Sequence, residues 1–287
     1  MTIDRMSRSA RVGLAGAAAS AVLTIPLSGC VFAASKQSAT TTASRSVAGV
    51  TMLQVENRNG AVTVSEDATA AGLEVRAEIR CWAATQQEAD DRAKAARLVT
   101  EVEPNGKGLV RVEFPEPKSS QDSATIEIRV GALVDLDLRT TNGAITVSGF
   151  NCPLEARTSN GAVETSGHSG TSSIETSNGR IVVQSAGGPV DATTSNGRVE
   201  VVLAPGNASS VDASTSNGSI EIVADAAWIG TVTGNTSNGR VTLDVPDGTG
   251  KSRRVSGTNA ATTSVGQGDS TIKARTSNGT VTVRVGG

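Results

Sequence analysis

The chain has almost no aromatic side chains: they make up 2% of its 287 residues, and tyrosine is absent. Aromatic rings ordinarily supply much of the volume of a globular core. A chain without them has to bury many small aliphatic side chains in a regular way, and stacked repeats do that. A surplus of one charge is missing too. Lys and Arg number 26 against 28 Asp and Glu, so there is no basic excess to grip a phosphate backbone, which argues against a nucleic-acid partner. Histidine occurs once, as His168 in the loop TSGHSG, beside only three cysteines. One His with two separated Cys makes no zinc site, and a lone loop histidine is expected to be solvated. The glycines follow corners and do not open a strand-to-helix phosphate loop, so nucleotide binding is not indicated. No GGxGxD array points to repeat-type calcium sites. The expectation is a protein without catalytic residues, cofactor or metal.

A long apolar run occurs at the N-terminus, from Val12 to Ile25, behind Arg5, Arg8 and Arg11. At about 14 residues it falls short of the roughly 20 that a membrane-spanning helix needs, and it has the build of a targeting segment. It ends in Leu27-Ser28-Gly29-Cys30. That sequence resembles the bacterial lipoprotein signal, an aliphatic residue and two small residues before a Cys; the bland alternative is an ordinary signal peptide with a chance Cys near the cut. The resemblance implies diacylglycerol on the Cys30 thiol and cleavage before it. It also implies an exported protein anchored by lipid at the outer face of the cytoplasmic membrane or in the outer membrane. Several acyl chains on one residue would hold firmly, at about 0.8 kcal/mol per buried CH₂. Outside the cytoplasm the remaining cysteines, Cys81 and Cys152, could form a disulfide; buried free thiols are the alternative.

The chain then divides by pattern. Residues 1–29 are the signal peptide, and 30–48, small and polar, read as a flexible lipid-anchored tether. Residues 49–134 read as a mixed β head. In it, VTMLQVENRNGAVTVSE alternates around Asn59-Gly60 as strand, turn, strand, and a second Asn-Gly at 105–106 marks another hairpin. Between them TQQEADDRAKAARL reads as one short helix. Thr85 is its N-cap, Glu88 completes a capping box, and Ala89, Ala93 and Ala96 form a small apolar face.

Residues 135–287 are a repeat, which decides the fold. Asn-Gly recurs at Asn142, Asn160, Asn178, Asn196, Asn217, Asn238 and Asn278, and a degenerate Thr258-Asn259-Ala260 divides the last interval. Successive asparagines are then 18, 18, 18, 21, 21, 21 and 19 residues apart. Apolar residues sit three and five places after each Asn (Ile145 and Val147, Ile181 and Val183, Ile220 and Ile222) and four and six places before it (Leu138 and Leu136, Ala192 and Val190, Ala213 and Val211). Each set lies on one face of a strand. Its parity flips at Ser-Asn-Gly, so the chain turns a corner there, with Gly supplying a permissive backbone. Two strands and two corners in so few residues are too little for a propeller blade. They fit one coil of a parallel β-helix, with about eight such coils stacked at roughly 4.8 Å. The corner asparagines, Asn142, Asn160, Asn178, Asn196, Asn217, Asn238, Asn259 and Asn278, are expected to stack as an inward amide ladder.

The array TSNG-[AR]-[VI]-x-[VI], behind the lipoprotein signal and a mixed β head, resembles the bacterial adhesin-type family of β-strand-repeat proteins over about residues 49–287. The resemblance implies a β-solenoid at the cell envelope and identifies no active site. Outward strand positions carry Arg180, Arg198 and Arg240 with Glu164, Glu200 and Glu221. These read either as ion pairs on a solvated sheet, each worth little, or as a charged glycan-binding stripe. The expected role is surface presentation, with the membrane and an envelope protein or glycan as partners. A polysaccharide-binding or polysaccharide-active β-helix and an envelope sensor are the alternatives.

Overall fold

The computed structural model describes residues 36–287 except 71, 134, 248–251 and 287. The signal peptide and Cys30 lie outside the described residues.

Strands β1 (Gln37–Val47), β2 (Met52–Glu56), β3 (Val62–Glu66) and β4 (Leu73–Ala83) precede the helix α1 (Gln86–Ala95). After it come β5 (Arg97–Val102), β6 (Lys107–Glu113) and β7 (Ser123–Val130). The repeat follows as strand pairs, each joined by an Asn-Gly corner. They are β8 (Asp135–Thr140) with β9 (Ile145–Ser148), β10 (Leu154–Thr158) with β11 (Val163–Ser166), and β12 (Ser172–Asn178) with β13 (Ile181–Ala186). Next are β14 (Val190–Asn196) with β15 (Val199–Leu203), β16 (Val211–Asn217) with β17 (Ile220–Ala224), and β18 (Gly230–Asn238) with β19 (Val241–Pro246). β20 (Ser252–Gly257), β21 (Ala260–Val265), β22 (Ser270–Asn278) and β23 (Val281–Val285) complete the order.

These strands form two long sheets. One has 12 strands, in the order β1-β4-β7-β3-β9-β11-β13-β15-β17-β23-β19-β20; the other has 11, in the order β21-β18-β22-β16-β14-β12-β10-β8-β2-β6-β5. Each repeat contributes its first strand to the second sheet and, past the Asn-Gly corner, its second strand to the first. Parallel pairing brings like positions together. Ile145, Val163, Ile181, Val199, Ile220, Val281 and Val241 form one buried column. Facing it is a column in which alanine predominates, Leu138, Ala156, Ile174, Ala192, Ala213 and Ala274. At Gly234, next in that second column, an added Cβ would lie 2.5 Å from Val241 Cγ1. At that level the shaft is only wide enough for a β-branched side chain against none, whereas Leu138 and Ile174 fit at others. Each fully buried Val or Ile contributes about 1.5–3 kcal/mol of transfer free energy, so aliphatics fill the strands' interior, while Trp228 and Phe150, both buried, fill the turns that follow β17 and β9.

The expected tether is half strand. Gln37–Val47 is β1, paired antiparallel along its whole length with β4, and its Ala39 and Ala43 pack against the core. A small, alternating strand suits this place, because β4 would otherwise end its sheet with an unpaired backbone edge.

The expected head is not a separate layer. β2 lies between β6 and β8, and β3 lies between β7 and β9, all in parallel register, so residues Lys36–Gly287 make one compact unit. The Asn59-Gly60 step read as a hairpin is a corner, since its flanking strands belong to different sheets. Asn105-Gly106 does make a hairpin: β5 and β6 pair antiparallel, and Gly106 has φ +84. The difference lies in the flanks. Leu53 and Val55 before Asn59, and Val62 and Val64 after it, are all buried and repeat the parity flip of the later corners.

The helix forms where expected. Thr85 Oγ1 accepts from Glu88 N at 3.2 Å, and Ala89 and Ala93 are buried. α1 packs on β1 and β4. It is pinned by a buried ion pair, Arg92 Nη2 to Asp122 Oδ2 at 2.7 Å, whose acid also accepts from Trp82 N and Ser119 N.

Candidate functional site

The repeated corner is the most regular feature of the surface, and each letter of Thr-Ser-Asn-Gly meets a different environment. The asparagines do form a ladder, with the Nδ2 of each rung after the first donating to the Oδ1 of a neighbouring rung. The distances are 2.7 Å for Asn142 to Asn59, 2.8 Å for Asn160 to Asn142, and 2.9 Å for Asn178 to Asn160, Asn196 to Asn178 and Asn217 to Asn196. Asn278 then donates to Asn217 at 2.9 Å and Asn238 to Asn278 at 2.8 Å. Three parts of the expectation need correcting. The ladder stands exposed along the corner, not inward. Asn59 is a rung that the division into head and repeats concealed. Asn259 is not a rung: the chain there passes from β20 to β21, against the direction of every other corner, and Asn259 instead accepts Thr236 N through its backbone oxygen at 2.7 Å.

Threonine faces inward at these corners. Thr158, Thr176, Thr194, Thr215, Thr236 and Thr276 are buried, and each Oγ1 donates to a corner glycine carbonyl of the neighbouring coil at 2.9–3.1 Å. Sequence reasoning passed over them, although the even-parity rule before each Asn also puts this position inside. Glycine answers to crowding more than to backbone freedom. A Cβ on Gly143, Gly161, Gly179, Gly197 or Gly218 would lie 1.8–1.9 Å from the glycine carbonyl oxygen of the adjacent coil, a distance no substituted residue can accept.

The rung order departs from the chain order at the C-terminal end. β22 pairs parallel with both β16 and β18, and β23 with both β17 and β19. The last coil of the sequence is therefore inserted between two earlier ones. β20 and β21 run antiparallel on the outermost coil and end the two sheets.

The outward charges are mostly paired. Arg180 bonds Glu164. Arg198 meets Glu200 at 2.7 Å and Glu221 at 2.5 Å, and Glu221 also takes Arg284. These contacts hold the Glu221 carboxyl below its ordinary range, its hydrogen bond from Arg284 foremost. Arg240 lies outside this set. On the other sheet Asp191 is pushed upward by burial and by the neighbouring Asp212 and Glu175. A surface cavity of about 440 Å³ opens between β1, β4 and β7, where Arg45, Arg76 and Arg129 alternate with Glu74 and Glu127.

His168 is not solvated. It is 1% exposed, its Nδ1 lies 3.2 Å from the Gly149 carbonyl, and its Nε2 has no partner among the described residues. Its TSGHSG loop is a return turn packed between those of the neighbouring coils: Ser169 N donates to Phe150 O below, and Gly187 N donates to His168 O above. Cys81 and Cys152 are both buried and unpaired. Cys81 lies on β4 beside the Arg92–Asp122 pair, whereas Cys152 enters β10 near Glu66 and Asp135, so each is enclosed separately. Burial first, then these acids, pushes the Cys152 thiol up to about 11, which makes it an inert core group. Among the described residues no group of three or more His, Cys, Asp and Glu is placed to hold a metal ion, and no helix is long and apolar enough to cross a membrane.

Two long, parallel-rich sheets closed over a thin aliphatic shaft and laced at their corners define an all-β protein of solenoid-like stacked coils. The chain belongs to the Toastrack DUF4097 family, which matches residues 84–284. Among solved structures it is similar to a candidate cell adhesion protein from Clostridium sporogenes ATCC 15579, at 12% identity and a TM-score of 0.40, over 86% of this chain and 100% of that one. A candidate adhesin from Bacteroides fragilis NCTC 9343 matches at 12% identity and a TM-score of 0.42, over 86% and 97%. A candidate lipid binding protein from Parabacteroides distasonis ATCC 8503 matches at 12% identity and a TM-score of 0.30, over 85% and 96%. No curated protein matches the chain.

Proposed function

We propose that the chain is an exported lipoprotein, anchored through Cys30, whose solenoid presents a surface at the cell envelope to other envelope components or glycans and does no chemistry on them. The observation that carries this reading is the run Leu27-Ser28-Gly29-Cys30 behind an arginine-flanked apolar segment. The paired charges of the first sheet support the non-catalytic part for that face. A β-helix that cleaves polysaccharide needs acidic groups free to handle protons, whereas Glu164, Glu200 and Glu221 are each held by arginine.

The test is cell fractionation with labelled fatty acid. The wild-type protein is expected in the membrane fraction carrying label, and Cys30→Ala in the soluble fraction without it. A wild-type protein that takes up no label overturns the anchor. Incubation of the purified protein with cell-wall and capsular glycans then separates presentation from catalysis, since released sugar would favour the polysaccharide-active alternative. Crosslinking in intact cells that retrieves a single signalling partner would favour the sensor.

A further inference from the structure

The asparagine ladder is finished at one end and open at the other. At the closed end Asn59 Nδ2 donates to the Ser120 and Asp122 carbonyls at 3.1 and 2.8 Å, and its Oδ1 accepts from Asn142. Each interior rung likewise gives one hydrogen bond and takes one. At the other end Asn238 donates to Asn278 at 2.8 Å, but no described residue donates to its Oδ1, because the chain reverses at Asn259 and supplies no further rung. The glycine N–H bonds do not separate this end from the rest: Gly60, Gly197, Gly218 and Gly279 each donate to the Asn carbonyl of an adjacent coil, at 2.8–3.1 Å, while no described residue accepts from Gly143, Gly161, Gly179 or Gly239 N. What sets Gly239 apart is that it is exposed, while the other corner glycines are half-buried.

The geometry points to Asn238-Gly239 as a modification site, at which the chain deamidates selectively while the like-sequenced interior corners are protected. Asparagine is a thermolabile side chain, and a following glycine leaves the path to its carboxamide unobstructed. The Gly239 nitrogen loses its proton and attacks Asn238 Cγ. The new N–C bond closes a succinimide, the Cγ–Nδ2 bond breaks, and ammonia leaves. Water then opens the ring at either carbonyl to give aspartate or isoaspartate, so water is the only co-reactant. To reach this geometry an interior asparagine must break a hydrogen bond on both sides; Asn238 breaks one.

The product alters the stack locally. A carboxylate at this rung no longer donates to Asn278 Oδ1 but faces it, oxygen to oxygen, and it adds negative charge beside the outermost coil. The modification therefore loosens β18 and β19 from β22 and β23 and acts as a chemical clock on that end of the solenoid.

The mature full-length protein is aged in mildly alkaline buffer and mapped by peptide mass spectrometry. Asn238 should convert at least about fivefold faster than Asn160, Asn178, Asn196 or Asn217, the factor set by one hydrogen bond of ordinary strength. In urea, where the ladder is gone, the preference should vanish. Equal conversion at all corners of the folded protein, or a preference that survives urea, overturns the proposal. In Asn238→Asp, hydrogen exchange should rise in β18 and β19 and stay unchanged in β10 to β13; no change in β18 and β19 would refute the clock.

Discussion

Thr176 and Thr165 are both buried hydroxyls, yet they should respond oppositely to the same substitution. Thr176 Oγ1 donates to Gly161 O at 3.0 Å, so Thr176→Val removes a satisfied bond and should cost about 1 kcal/mol. Thr165 stands in a column of Val and Ile, and its Oγ1 has no partner among the described residues. Thr165→Val keeps the shape and removes a buried polar group, so it should be neutral or stabilise by about 1 kcal/mol. Urea denaturation of the two variants against wild type reads the difference directly. His168 provides a pH signature. Burial lowers its pKa below the ordinary 6.5, against the hydrogen bond to the Gly149 carbonyl and the Glu66 charge, which raise it. The unfolded chain therefore takes up the proton first. Stability should be complete above about pH 6.5 and decline as pH falls from there through the folded-state value. In His168→Gln that decline should be missing above the carboxylate range. A wild-type midpoint that is flat across this window would show that the ring is not enclosed in solution.

At the scale of elements, the inserted coil β22–β23 is the piece on which the C-terminal end depends. It supplies the parallel partners of both β16–β17 and β18–β19. Removing residues 270–287 should therefore disorganise more than it deletes. Amide exchange is expected to lose protection through β18–β21 while β8–β13 keep theirs, and protection retained in β18 and β19 would show that they can stack directly on β16 and β17. The antiparallel strands β1, β5, β20 and β21 lie at the sheet ends.

For the whole molecule, coils stacked in one register imply that one can be lost without losing the fold. Excising Gly179 through Asn196 joins Asn178 to Gly197 and restores the Asn-Gly step, the threonine donor and the shaft columns in register. The shortened protein should fold with β-rich circular dichroism and unfold in one transition at lower denaturant, because stability in a stacked array is near to a sum over units and their interfaces. A soluble but unfolded product would mean that the return turns, which differ between coils, fix the stack more strongly than the corners do.

The stacked coil, its two inward columns and the amide ladder were legible in the sequence because they follow from local periodicity. Residues two apart on a strand share a face, and a parity flip at Asn-Gly is a corner whatever lies around it. The burial of Thr158 and its equivalents was contained in that same parity. Tertiary contacts decided the rest. Asn59 is a rung and Asn105 a hairpin only because of what pairs with the strands beyond them, and 37–47 is a strand because β4 needed a neighbour. The coil ending in β23 enters the stack before the one ending in β19, an order visible only in the pairing of β22 with both β16 and β18 and of β23 with both β17 and β19. Local sequence specifies the shape of a coil, whereas which coil touches which depends on pairings between residues far apart in the chain, and no periodicity records those.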